Sequence, residues 1–111
     1  MEWKEIQTHK GKYEVSEMGQ VRNIKKGSIV STRGKLKSVQ LSPYTYPRLT
    51  PMCQLVAQAF INNPNHYKSI RFINGFFEPK KDNLEWVKEL KKGDIGYTIP
   101  DSWYFGFSQN S

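Results

Sequence analysis

The sequence predicts an α+β chain: a small antiparallel β meander, then one amphipathic helix, then a two-stranded ribbon feeding a second helix. Three observations predict it. Gly11, Gly19 and Gly27 punctuate the N-terminal stretch at eight-residue spacing, with apolar and polar residues alternating between them. The stretch TPMCQLVAQAFINNP carries a helix start, an apolar stripe and a stop. In IRFINGFFEPKKDNLEW the dipeptide Asn74-Gly75 is a tight-turn signal, and Asp82 with Glu85 reads as a capping box.

Each element follows in order. Tyr13 and Val15 alternate with polar neighbours, as does Val21-Arg22, which reads as short strands, and Trp3 and Ile6 are expected to cover one face. Leu36, Val39 and Leu41 mark a further strand, while Pro43 and Pro47 confine Tyr44 to Arg48 to a turn or an edge. Thr50 is the expected N-cap of the first helix and Pro51 its first position. Leu55, Val56, Ala59 and Phe60 form the core-facing stripe, and Asn62-Asn63-Pro64 ends the run. Ile70, Phe72 and Ile73 then predict a strand, returning at Phe76-Phe77 after the turn. The second helix is expected from Asp82 to about Lys92, stopping at Gly93. The remaining tail is too aromatic for a free terminus and is expected to dock.

Composition narrows the function classes. The 111 residues fit one compact domain, or two small modules sharing a core. No apolar run is long enough to span a membrane, and the N-terminus lacks the apolar segment of a secretory signal, so a cytoplasmic location is expected. A single cysteine, Cys53, excludes an internal disulfide and a multi-cysteine zinc site, and reads as a small buried hydrophobe. Seventeen Lys and Arg against ten Asp and Glu give a net charge of +7, which points to a polyanionic partner, nucleic acid first. The cations gather at Arg22, Lys25, Lys26, Arg33, Lys35 and Lys37, a density suited to following a phosphate backbone.

Three blocks carry a resemblance: W-K-E-I with G-K-Y-E-V-S-E-M-G-Q-V-R-N from Trp3 to Asn23, L-V-A-Q-A-F-I-N-N-P from Leu55 to Pro64, and N-G with D-N-L-E-W-V from Asn74 to Val87. In this order the chain resembles phage and intron HNH homing endonucleases in which a NUMOD-type DNA-binding module precedes the nuclease motif. The resemblance implies a NUMOD-like β-rich module at 1–49 and a degenerate HNH-like ββα unit at 50–92; the aromatic tail at 93–111 lies beyond it and is expected to dock on its composition. Longer relatives carry a further helix-turn-helix module, for which this chain leaves no room, so modest sequence specificity is expected.

In such enzymes a histidine beside the turn activates water, and an acidic or amide residue before it joins the Asn of N-L-E-W in holding a divalent metal. Carried over residue by residue, the helix histidine becomes Cys53, the metal ligand Arg71, the base Phe72 and the turn aspartate Asn74, with the loop after Gly75 one residue short. Only Asn83 remains. One neutral amide does not hold a hard dication, and a benzene ring takes no proton, so no catalytic residue, metal or cofactor is expected. His66 and His9 read as ordinary histidines, and Asp82 as a cap rather than a ligand.

The first reading is therefore a non-cutting protein that binds duplex DNA. The phosphate contacts would come from the basic cluster with Arg71, Lys80 and Lys81, and the base contacts from Arg22, Arg33 and Arg48. The second is a phage-encoded inhibitor of a host protein (a CRISPR effector, another nuclease or a polymerase) working in the bacterial cytoplasm as a monomer or small oligomer. Its anchors would be Phe72, Phe76, Phe77, Trp103, Tyr104 and Phe105. The third is a divergent nicking enzyme using His66 or Cys53.

Overall fold

The computed structural model describes residues 1–41 and 49–100. Along these the chain forms β1 (Trp3–Glu5), β2 (Tyr13–Ser16), β3 (Val21–Asn23), β4 (Val39–Gln40), β5 (Leu49–Thr50), α1 (Met52–Phe60), β6 (Ser69–Phe72), β7 (Leu84–Val87) and β8 (Gly96–Thr98). Single 3-10 turns occupy Gln7–His9 and Lys81–Asn83. The architecture is α+β, with one helix set among three small antiparallel sheets: β1-β2-β3, β4-β5 and β7-β6-β8.

The meander forms where the glycine spacing placed it. Val15 pairs with Val21 and Glu14 with Arg22, so Tyr13, Val15 and Val21 turn inward while the charged pair faces out. This is the period-two alternation of a half-buried sheet. The turn between β2 and β3 needs Gly19 for two reasons. Its φ is +83°, and a Cβ there would stand 2.8 Å from the Pro79 carbonyl oxygen. That close approach, with the Lys81 N–H donating to the Glu17 carbonyl at 2.8 Å, seats the meander's turn on the loop before β7.

Helix α1 is more enclosed than a single stripe implies. Every residue from Met52 to Ala57 is buried, because α1 packs against β2 on one side and against β6 and β7 on another. Burying Met52, Leu55 and Val56 contributes about 1.5–3 kcal/mol each before entropy is charged. Thr50 does not cap the helix. It belongs to β5, opposite Val39, and the N-cap is Pro51 without a side-chain cap bond. The ladder with β4 takes the backbone that the capping geometry would use. The buried cluster runs from Ile6, Val15 and Val39 through α1 to Ile70, Phe72 and Leu84, drawing on residues from both sides of residue 50.

The segment after the turn departs from expectation. Asp82 to Lys92 is not a helix: Lys81–Asn83 makes one 3-10 turn without a side-chain cap, and Leu84–Val87 runs as β7 against β6. Phe72 lies opposite Leu84, Arg71 opposite Glu85 and Ile70 opposite Trp86. Leu84 and Trp86 share the inner face, and the Trp86 indole N–H donates to the Ile61 carbonyl at 3.1 Å, tying β7 to the end of α1. The strand partner outweighs the local capping signal. The return is thus at Leu84, and Phe76-Phe77 lie in the connecting loop. On the other side of β6, Gly96–Thr98 adds β8, with Gly96 opposite Arg71. A Cβ at Gly96 would sit 2.2 Å from the Ile70 carbonyl oxygen, so only glycine fits. Ile99 follows, buried.

Candidate functional site

The positions that would carry nuclease chemistry converge at the Phe72 end of β6, and each is engaged elsewhere. Phe72 is 2% exposed, its ring set edge-on to Phe77 with centroids 5.3 Å apart. Phe77 is thereby half-buried and spent on packing. Arg71 lies on the opposite, outward face of β6. Its Nη1 donates to Glu85 Oε1 at 2.5 Å, and its Nε lies 3.4 Å from Asp94 Oδ1. The hydrogen bond to Glu85, with the nearby Asp94 charge, raises the guanidinium pKa further and keeps the group charged. An open groove of about 580 Å³ beside it presents three cations (Arg71, Lys88, Lys91) and three anions (Glu85, Glu89, Asp94). The expected phosphate-contacting role of Arg71 therefore competes with carboxylates already in place.

Asn83 closes the loop. Its Oδ1 accepts the Asn74 N–H at 2.8 Å, and its Nδ2 donates to the Glu78 carbonyl at 3.0 Å and the Phe76 carbonyl at 3.4 Å. Asn74 completes the network: its Oδ1 accepts the Phe76 N–H at 2.9 Å and its Nδ2 donates to Glu78 Oε1 at 2.8 Å. The divalent metal implied by the resemblance does not fit these residues. A guanidinium and a phenyl ring occupy two positions, and the remaining amide is consumed by main-chain contacts. Among the described residues no group of three or more His, Cys, Asp or Glu is arranged to hold a metal ion.

The substitute catalysts fare no better. Cys53 is fully buried on α1, and burial pushes its thiol up to about 12, so at neutral pH the thiolate is scarce. His66 sits exposed with φ +55° in the turn before β6. It lies at the Ser69 end, with the strand's length of about 10 Å between it and the Phe72 end. His9 is buried in the 3-10 turn between β1 and β2, beside Thr8 and with its ring edge-on to Tyr13. Asp82 is exposed in its 3-10 turn and caps nothing through its side chain.

The remaining cations expected at DNA, with two neighbours, fall into three groups among the described residues. Lys25 and Lys26 occupy the exposed turn after β3, where the Ile24 N–H donates to the Lys12 carbonyl at 3.0 Å. That bond brings exposed Lys10 and Lys12, which sequence reasoning overlooked, to the same end of the sheet. The signal was available, since in an antiparallel meander the turn entering β2 and the turn leaving β3 share an end. Arg33, Lys35 and Lys37 lie exposed on a tight hairpin closed by the Arg33–Ser38 bridge, beside an open groove of about 540 Å³ that reaches Leu36, Leu49 and Phe77. Lys80 and Lys81 are exposed near the opposite end of β2, Lys80 lying 3.9 Å from Glu78.

Arg22 is not a loose cation. Its guanidinium stacks 4.0 Å over the Trp3 ring and bonds to Glu14, with Nε at 2.7 Å from Oε1. Phe76 is 67% exposed. Arg48, Trp103, Tyr104 and Phe105 lie outside the described residues. Among the described residues no helix is long and apolar enough to cross a membrane.

Residues 1–50 match the NUMOD4 motif. No curated protein sequence matches significantly. Among solved structures the chain is similar to the HNH homing endonuclease I-HmuI, studied for its DNA binding and cleavage. The identity is 26% and the TM-score 0.63, over 78% of this chain and 52% of that one. The chain thus spans about half the length of the structure it matches. Its fold resembles that of an HNH homing endonuclease, and its first fifty residues match the NUMOD4 motif.

Proposed function

We propose that this chain is a nuclease-like protein of the bacterial cytoplasm that binds duplex DNA without cutting it. The observation that carries the reading is how the positions to which the resemblance would assign catalysis are occupied. Phe72 is packed in the core, Arg71 is bridged by Glu85 and Asp94, and Asn83 is bonded to its own loop. Activating water needs a base with a free lone pair, and cleaving a phosphodiester in this fold needs a cation on the phosphate. Neither requirement is met by these side chains.

Binding is supported by the NUMOD4 match, by the likeness to an endonuclease whose DNA binding has been studied, and by the exposed cations. Lys10, Lys12, Lys25 and Lys26 at one end of the meander, the Arg33–Lys37 hairpin, and Lys80-Lys81 at the other end form three contact points for phosphates. Among the described arginines, Arg33, exposed and in no ion pair with a described residue, is the one best suited to read a base edge. Arg22 instead holds the sheet's outer face together.

Two measurements test the reading. Fluorescence anisotropy with labelled duplex across a salt series should give a log-log slope of about −4 or steeper if half the nine cations touch phosphates. Supercoiled plasmid incubated with magnesium or manganese should stay supercoiled. A flat salt dependence removes the binding half, and relaxed or linear plasmid removes the non-cutting half.

A further inference from the structure

Two successive phenylalanines in the β6–β7 loop point opposite ways. Phe77 turns in against Phe72, while Phe76 is left 67% exposed. The loop that carries Phe76 is not loose. Its backbone is bonded on both sides, its N–H to Asn74 Oδ1 at 2.9 Å and its carbonyl by Asn83 Nδ2 at 3.4 Å. Gly75, with φ +80°, allows the tight turn that raises the ring. Exposed Ile73 stands on the same loop, and Lys80 and Lys81 follow it. After β8 the described chain continues past the Ser69 end of β6, with the Ile99 N–H bonded to the Lys68 carbonyl, away from Phe76.

A large ring held out of the core on a fixed support, with Lys80 and Lys81 exposed four and five residues on and Glu78 between, is the arrangement of a wedge. On this basis, and resting on the DNA-binding reading above, we infer that Phe76 inserts at a base step of the bound duplex and partly unstacks it. Apolar wedges of this kind need only one ring, because the bases on either side supply the contact surface. Lys80 and Lys81 would hold the flanking phosphates while the ring enters. A protein partner is the poorer match: Phe76 with Ile73 offers far less than the roughly 800 Å² per partner of a stable protein interface.

The test uses the full chain and duplexes carrying 2-aminopurine at successive positions within the segment protected from DNase. Wild type should raise the fluorescence several-fold at one or two adjacent positions, the mark of lost stacking. Phe76→Ala should abolish that rise and weaken binding about tenfold while leaving the salt slope unchanged, since phosphate contacts persist. Phe76→Trp should keep the rise. Because the ring is exposed, thermal unfolding of the Ala variant should match wild type, which separates the effect from misfolding. If wild type binds with a steep salt slope but gives no fluorescence rise, or Phe76→Ala gives the same rise, the wedge is wrong and the binding reading stands. If wild type shows no salt-dependent binding, both fall. A Phe76→Ala protein that binds DNA as wild type does but loses a protein contact also overturns the wedge.

Discussion

The side-chain oxygen of Asn83 accepts the backbone N–H of Asn74 at 2.8 Å, across a loop whose ends are nine residues apart in sequence. With its Nδ2 on the Glu78 and Phe76 carbonyls, one amide ties the loop to the start of β7. The residue that the endonuclease resemblance would make a metal ligand thus has a full structural occupation. Asn83→Ala should destabilise the protein by about 1–3 kcal/mol in urea unfolding, because it leaves these loop groups without their partner. Asn83→Asp keeps the acceptor but turns a carboxylate toward two carbonyl oxygens, so it should also destabilise. A ligand role would instead have the aspartate variant gain manganese affinity, which calorimetry would detect.

Phe72 tests whether chemistry can be restored by one residue. At 2% exposure and packed on Phe77, Phe72→Ala should cost about 3–5 kcal/mol through lost contacts and the cavity left behind. Phe72→His puts an imidazole into the same apolar slot. It should lower the melting temperature and leave supercoiled plasmid intact with manganese. Nicking by that variant would show that the rest of the machinery is present.

Gln54 is buried on α1 with neither Nε2 nor Oε1 in a hydrogen bond among the described residues. Burying an amide without partners forfeits its hydration, whereas methionine fills a similar volume without polar atoms. Gln54→Met should therefore raise stability by about 1–2 kcal/mol in chemical denaturation. A lowered midpoint would mean that the amide has a partner beyond these residues.

The residues differ in how openly the sequence disclosed them. Helix α1 was legible because Pro51 and the apolar spacing are local signals, and the meander because its turns are glycines. That Phe72 and Arg71 stand where the resemblance would put a histidine and an acidic or amide ligand was legible from residue type alone. The β7 strand was not, because Asp82-x-x-Glu85 satisfies a capping rule while Leu84-Glu85-Trp86 also satisfies strand alternation. Only the partner β6 decides between them. Strand β8 is three residues long and has no signal of its own apart from that same partner. The clamp of Asn83 was hidden because its bonds go to main-chain atoms, which carry no sequence mark. The neutralisation of Arg71 by Asp94 depends on a contact across twenty-three positions.

Cys53 sets a pH limit. Burial raises its thiol from 9.0 to about 12, so between these values the unfolded chain has lost a proton that the folded chain keeps. The unfolded state binds fewer protons there, and stability falls as pH rises, by at most about 1.4 kcal/mol per pH unit from this group. Cys53→Ala should lose stability at pH 8 through the cavity, yet show a shallower decline from pH 9 to pH 11. At pH 8 the native thiol should react with a disulfide reagent only at the rate of unfolding. Rapid labelling of folded protein would place the sulfur at the surface.

The last prediction concerns the end of the meander where Lys12 meets Ile24. The 3.0 Å bond from the Ile24 N–H to the Lys12 carbonyl places the two turns side by side, and their lysines should therefore act on DNA as one patch. Neutralising Lys25 and Lys26 together, or Lys10 and Lys12 together, should weaken binding by a similar factor for each pair. Each pair should shrink the log-log salt slope by about 2, on the rule of nearly one released counterion per phosphate contact. All four replaced should shrink it by about twice that, since contacts with separate phosphates add. Arg22→Lys serves as the control for ordinary charge. It keeps the +1 but loses the fork that bonds Glu14 and the plane that stacks on Trp3, so it should lower stability and leave the slope unchanged. A slope that drops on Arg22→Lys and not on the lysine pairs would move the DNA contact from the sheet's end to its outer face.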